Sequence, residues 1–233
     1  MDSSTEAVFD GLRAELVALR DPERAIKMSA YMKDHFPFLG VMSAPRRKAQ
    51  KAAVAQIGKS DDGSPTAPHL LDFAQLCWDE PEREFQYVGS DALRKHHKHL
   101  MADDLDATKV LITTKSWWDT VDSLAAHTVG PLVLRNRELT KTMDEWIESD
   151  NMWLARTAII HQLNHKTEID ADRLFRYADR RAGDTEFFIR KAIGWALRQH
   201  ARVDPDAVRQ FVESRGDKLS GLTRREAMKH LSA

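Results

Sequence analysis

Trp118 and Asp122 stand four residues apart in Thr114-Lys115-Ser116-Trp117-Trp118-Asp119-Thr120-Val121-Asp122-Ser123, so one helical face presents a flat aromatic surface beside a carboxylate. Trp117 falls instead in line with Val121 and Leu124 and is predicted to be core. Within 187–197 the aliphatic stripe is Ile189, Ile193, Ala196 and Leu197, while Phe188, Lys191 and Trp195 form another stripe on nearly the opposite side. An aromatic ring, a cation and a tryptophan together suit a binding surface; a second packing stripe is the alternative. Arg156 shares a stripe with Trp153, Ile160 and Leu163, where an unpaired guanidinium would be costly. It therefore either reaches out to solvent or is held against an anion, for which Asp122 and a phosphate are both candidates.

These side chains need helices to carry them. The spacing predicts a helix over about 116–127 with Thr or Ser at its N-cap. Upstream, Val8, Leu12, Leu16 and Leu19 share a stripe, and Asp21-Pro22 starts a second helix that runs to about Met32. The loop Phe36-Pro37-Phe38-Leu39-Gly40-Val41-Met42 follows, then Ala44-Pro45 opens a third helix with Arg46, Arg47 and Lys48 in its first turns. Gly58 to Pro68 is rich in breakers and reads as a surface loop. Glu80-Pro81, Asp150 and Asp204-Pro205 mark further helix starts, and no sustained alternating strand pattern occurs, so the chain is predicted to be all-α.

The helices also repeat. Those opening at Leu154, Phe188 and Leu222 are 34 residues apart, with Phe85 and Trp118 near the same register upstream. A helical period of about 34–36 residues predicts an α-solenoid of stacked helix pairs, in which equivalent positions build one concave surface. Arg156, Arg190 and Arg224 are then equivalent, followed by Lys191 and Arg225. Such a ladder of cations suits a polyanion; solvated charges near helix starts are the alternative.

Composition narrows the classes. With 233 residues, 42% hydrophobic and 30% charged, the chain has the make-up of an ordinary soluble protein, read as a single repeat domain over 1–233. No stretch approaches eighteen apolar residues and the start lacks a signal peptide's pattern, so a cytoplasmic protein with no membrane partner is expected. The lone Cys77 fits buried packing in a reducing compartment. Formal charge is -1 overall, but residues 185–233 hold ten Lys/Arg against six Asp/Glu, so one end is basic. His96-His97-Lys98-His99 reads as a solvated helix end, not a metal site, and Lys115 as a solvated or phosphate-facing cation. No phosphate-binding or dinucleotide-binding glycine loop is present, and no cofactor is expected.

Several motifs then lie in order along nearly the whole chain: Tyr31-Met32-Lys33-x-His35-Phe36-x-Phe38-Leu39-Gly40, Trp78-Asp79-x-Pro81-Glu82-Arg83-Glu84-Phe85-Gln86, Thr114 to Ser123 as above, Asp150-Asn151-x-Trp153-Leu154-x-Arg156, Glu186-Phe187-Phe188-Ile189-x-Lys191-Ala192-Ile193-Gly194-Trp195 and Arg224-Arg225-Glu226-Ala227. Together they resemble the AlkD-type DNA alkylation repair enzymes, HEAT-like repeat DNA glycosylases. The resemblance implies a curved solenoid that holds double-stranded DNA and releases N3- and N7-alkylated purines such as 3-methyladenine and 7-methylguanine, as a monomer, without cofactor or metal and without a pocket for an extruded base. It implies an aromatic cleft of Tyr31, Trp118 and Trp195, a catalytic carboxylate at Asp122 and an essential arginine at Arg156. Phe187 and Phe188 match the family's Phe pair, and Lys191, Arg224 and Arg225 match basic positions that face DNA. The 58–68 loop is longer than the resemblance leads one to expect, and Met42-Ser43-Ala44 replaces a more polar stretch. The rival reading is a non-catalytic helical-repeat protein that binds branched or damaged DNA or a protein partner.

Overall fold

A computed structural model describes residues 3–58, 63 and 65–231, and among these residues it contains helices and no strand element. Two compact units divide the chain, Met1–Lys115 and Ser116–Ala233, at a point where the sequence shows no shift in composition. The first holds α1 (Ser3–Ala18), α2 (Pro22–Tyr31), α3 (Ser43–Val54), α4 (Ala67–Asp79), α5 (Arg83–His96) and α6 (Leu105–Thr113). The second holds α7 (Trp118–Leu124), α8 (Gly130–Arg135), α9 (Thr140–Trp146), α10 (Met152–Ile160), α11 (Ala171–Arg180), α12 (Phe187–His200), α13 (Pro205–Arg215) and α14 (Gly221–Met228). Of the breaker-rich 58–68 loop, residues 59–62 and 64 lie outside the described residues; its last residue, Pro68, belongs to the first turn of α4, where a missing N–H costs nothing.

Helix starts follow the capping residues. Asp21 accepts the Arg24 N–H at 3.0 Å with Pro22 at the first helical position, and Asp204 accepts the Ala207 N–H at 2.9 Å ahead of Pro205. At the start predicted from Asp150 the cap is Asn151, one residue further on, and it accepts the N–H groups of both Trp153 and Leu154. Each such cap is worth about 1 kcal/mol.

In the first unit, Phe9 of α1 meets Phe73 of α4 and Phe85 of α5 at 6.2 and 6.0 Å between ring centroids, around a core that includes Leu16, Leu39, Leu70 and Leu93. Burial of each such side chain contributes about 1.5–3 kcal/mol. The loop after α2 is anchored from inside this core. Glu84, fully buried, accepts the backbone N–H groups of Leu39, Gly40 and Val41 at 2.8–3.0 Å. Its neighbour Arg83 lies 3.9 Å above the Phe36 ring and donates to the Lys115 carbonyl. Gly40 has φ +86, and a Cβ there would lie 2.1 Å from the Asp21 carbonyl oxygen, so no other residue fits. Lys115 corrects its sequence reading: its ammonium donates to the Trp78, Asp79 and Glu80 carbonyls, closing the C-terminal end of α4 where the helix dipole favours a cation.

The repeat runs through the second unit and begins in sequence with α5 of the first. α5, α7, α10, α12 and α14 begin at 83, 118, 152, 187 and 221, steps of 35, 34, 35 and 34 residues, close to the period read from sequence. Within the second unit α10 packs on α7 and α12, and α12 on α14, while α9, α11 and α13 pack behind them, so the main helix contacts run between neighbours in the series, as in stacked helical repeats. The predicted 116–127 helix begins two residues late. Trp117 is its extended N-cap, with φ -157 and ψ 160, and is off the helical register that placed it in the core. It is half-buried instead. A wider π turn over Ala125–Val129 joins α7 to α8 just before Pro131, whose ring cannot accept the ordinary helical spacing behind it.

Candidate active-site cleft

Four successive inner helices of the second unit each contribute to one open cleft of about 310 Å³. α7 places Trp118 at its first residue and Asp122 one turn later; α10 supplies Arg156; α12 supplies Phe187, Phe188, Lys191, Trp195 and Arg198; α14 supplies Glu226. Seven of the ten residues singled out in the sequence thus converge, although they lie up to 77 positions apart, from Trp118 to Trp195. The closeness of α12 to α14 depends on Gly194: a Cβ there would lie 2.5 Å from the Glu226 Cβ and 2.9 Å from the Thr223 carbonyl oxygen.

Arg156 is only 4% exposed, and its partner is Asp122. Nε donates to Oδ1 and Nη2 to Oδ2, both at 2.7 Å, while Nη1 donates to the Phe188 carbonyl. The guanidinium also stands 5.8 Å from the Phe188 ring centroid. This bidentate pair fixes the carboxylate rigidly across two repeats, 34 residues apart in sequence. Burial raises the Asp122 carboxyl above its ordinary value, against the opposing pull of the two Arg156 bonds. Each carboxylate oxygen has a further lone pair beyond the one Arg156 engages, so Asp122 can still face the cleft as an acceptor.

A second carboxylate sits at the α14 side. Glu226 accepts from Lys191 at 2.9 Å and from Arg198 at 2.6 Å, and these bonds hold it below the ordinary glutamate value. With Asp122 and Glu226 against Arg156, Lys191 and Arg198, the cleft lining carries one net positive charge. Sequence reasoning missed Glu226 and Arg198. Glu226 lay inside the quoted Arg224-Arg225-Glu226-Ala227 motif, but only the packing of α14 on α12 reveals that it faces the cleft.

Behind the cleft is an aromatic cluster. Phe188 meets Trp117 at 5.1 Å, Trp153 at 5.2 Å and Phe187 at 5.4 Å between ring centroids. Trp117 meets Trp153 at 5.9 Å. Such ring pairs add about 0.5–1.5 kcal/mol each beyond area burial and hold the Phe188 carbonyl that Arg156 grips.

The other residues singled out in the sequence each sit within their own unit. The five positions of the basic ladder are not alike: Arg156 and Lys191 are paired within the cleft, and Arg190 donates to the Asp184 carbonyl at 2.7 Å. Arg224 faces Asp217 at 3.1 Å, and Arg225 is exposed on α14 away from the cleft lining. A uniform row of cations on equivalent positions is therefore not what the repeat builds. Tyr31 belongs to the first unit, 71% exposed at the end of α2. Cys77 is buried, which pushes its thiol well above the ordinary value, and no helix among the described residues is long and apolar enough to cross a membrane.

Comparison with known proteins covers most of the chain. The family model of DNA alkylation repair enzymes matches residues 12–231. A protein from Enterococcus faecalis, described as a predicted DNA alkylation repair enzyme, superposes with a TM-score of 0.82 at 31% identity, over 91% of this chain and 97% of that one. The protein smu.31 from Streptococcus mutans UA159 superposes with a TM-score of 0.59 at 16% identity, over 79% of this chain and 92% of that one, a likeness of fold. No curated protein matches the chain.

Proposed function

The chain belongs to the DNA alkylation repair enzyme family, and within it we propose that this protein is a glycosylase that hydrolyses the N-glycosidic bond of N3- and N7-alkylated purines in duplex DNA. The observation that carries the proposal is the meeting of Trp118, Asp122 and Trp195 in one cleft with a net positive lining. Alkylation at N3 or N7 already leaves the purine cationic, so the base departs without a general acid. Positive charge develops instead on the deoxyribose. Asp122 stabilises that oxocarbenium ion and orients the attacking water, and its pairing with Arg156 holds it in place before the charge appears. The faces of Trp118 and Trp195 hold the sugar, where their electron-rich rings favour the same charge. Lys191 and Arg198, poised on Glu226, meet a flanking phosphate, and the cleft takes the sugar and its phosphates, not the extruded base.

The test is single-turnover release of 7-methylguanine from duplex DNA at saturating protein. Asp122→Asn is expected to lower the rate by on the order of 10²-fold or more while duplex affinity stays within a few-fold, with circular dichroism checking that the chain stays folded. The ionised carboxylate is the active form, so the wild-type rate rises with pH through an acid limb placed above the ordinary aspartate value by burial. Wild-type excision by Asp122→Asn makes the carboxylate only the structural partner of Arg156. If the wild-type protein binds damaged duplex and releases no base, the non-catalytic reading takes over.

A further inference from the structure

The first unit has a charged groove that the cleft chemistry does not use. It runs between α3 and α5 through two adjoining hollows of about 540 Å³ each, which share Lys51, Val54 and Lys95. Arg47, Lys48 and Lys51 line it from α3, and Arg94 and Lys95 from the last turn of α5. All five are exposed, and none has an ion pair or side-chain hydrogen bond among the described residues. Five arginines of the second unit behave differently, since Arg156, Arg173, Arg180, Arg198 and Arg215 each sit on a carboxylate. Asp91 is the single carboxylate among the described lining residues, and it is already engaged. Buried Arg46, with its guanidinium 4.8 Å over the Tyr87 ring, holds it at 3.2 Å.

We propose that this groove binds the phosphate backbone of DNA, independently of any lesion, as a second contact separate from the cleft. Five like charges in one groove repel one another, and in a chain of formal charge -1 their gathering is local, not a consequence of composition. They do not converge on one point, as a site for a single small anion would require. Arg47, Lys48 and Lys51 are strung along about 6 Å of α3, and a duplex presents a charge for about every 1.7 Å of its axis. Besides the cations the described lining holds apolar Ala52, Val54 and Pro65 and polar Gln50, His96 and Asp91, the last already engaged by Arg46. Contacts from these lysines and arginines to phosphate oxygens carry no sequence information, so affinity without sequence preference is expected. The choice of DNA as polyanion rests on the family reading, but the site does not depend on the glycosylase chemistry.

The full-length Lys51→Gln/Lys95→Gln variant tests this, since both side chains are exposed and the fold does not rely on them. Fluorescence anisotropy with a labelled, undamaged duplex over a range of salt is expected to show about tenfold weaker binding. The slope of log affinity against log salt should be shallower by about 2, one counterion for each lost contact. Lys141→Gln/Arg202→Gln, which removes the same charge from exposed positions of the second unit, serves as the control and should move the slope by much less. If the groove variant behaves like the control, or binds undamaged duplex as the wild type does, the proposal is overturned, including the case in which the groove serves an acidic protein. A wild type that binds duplex through the groove but excises nothing would leave this site standing and remove the glycosylase reading alone.

Discussion

The inner and outer helices of the second unit use the same 34-residue step for different ends. On the outer side, Asp144 accepts from Arg173, Arg176 and Tyr177, Glu148 from Arg180, and Asp179 from Arg215, pairs 29–36 positions apart. These charges are answered by the next repeat, and the result is a zipper that sets spacing. On the inner side the same step pairs Asp122 with Arg156 and Lys191 with Glu226, yet Trp118 and Trp195 remain half-buried against an open cleft. Large aromatic surface that a fold leaves partly unpacked is available for a ligand, whereas satisfied exposed ion pairs contribute little beyond register.

Three substitutions sharpen that contrast. Trp118→Ala should have the largest effect, lowering single-turnover excision of 7-methylguanine by roughly tenfold or more and weakening duplex affinity, because the ring contributes contact as well as electrostatics. Equal binding and rate in that variant would make the inner face no different from the outer. Glu226→Gln should act in the opposite direction on affinity. It releases Lys191 and Arg198 from their carboxylate and raises the net charge of the cleft lining from one to two, so duplex binding should tighten a few-fold with a steeper salt slope. Weaker binding would mean that Glu226 serves by aiming the two cations. The smallest effect is expected outside: Asp144→Ala should cost about 1 kcal/mol in urea unfolding, since the carboxylate is 43% exposed, and leave excision unchanged. A change of more than twofold in rate would show that the zipper transmits to the cleft.

How much of this the sequence disclosed depends on the range of the interactions. Helix starts were legible at Asp21-Pro22 and Asp204-Pro205 because a cap is a contact over three residues. The repeat was legible because it is periodic. Trp118 and Asp122 were legible as a pair because one helical turn joins them. Trp117 misled, since the helical wheel assumed a helix that had not yet begun. Lys115 misled for a different reason: its acceptors are the carbonyls of α4, some 35 residues away. Glu226 and Arg198 stayed hidden because a carboxylate and an arginine 28 residues apart gain meaning only when α14 lies on α12 at Gly194.

The buried Glu84 anchor has a consequence for how the first unit opens and closes. The amides of Leu39, Gly40 and Val41 have no helix or sheet to protect them, and all three donate to one side chain carried by α5. Their exchange with solvent deuterium therefore reports on the docking of α5, not on local fraying of the loop. The three should exchange together, at the slow rate of the core helices, and a Glu84→Gln chain should release them as a group while amides in the middle of α4 stay protected.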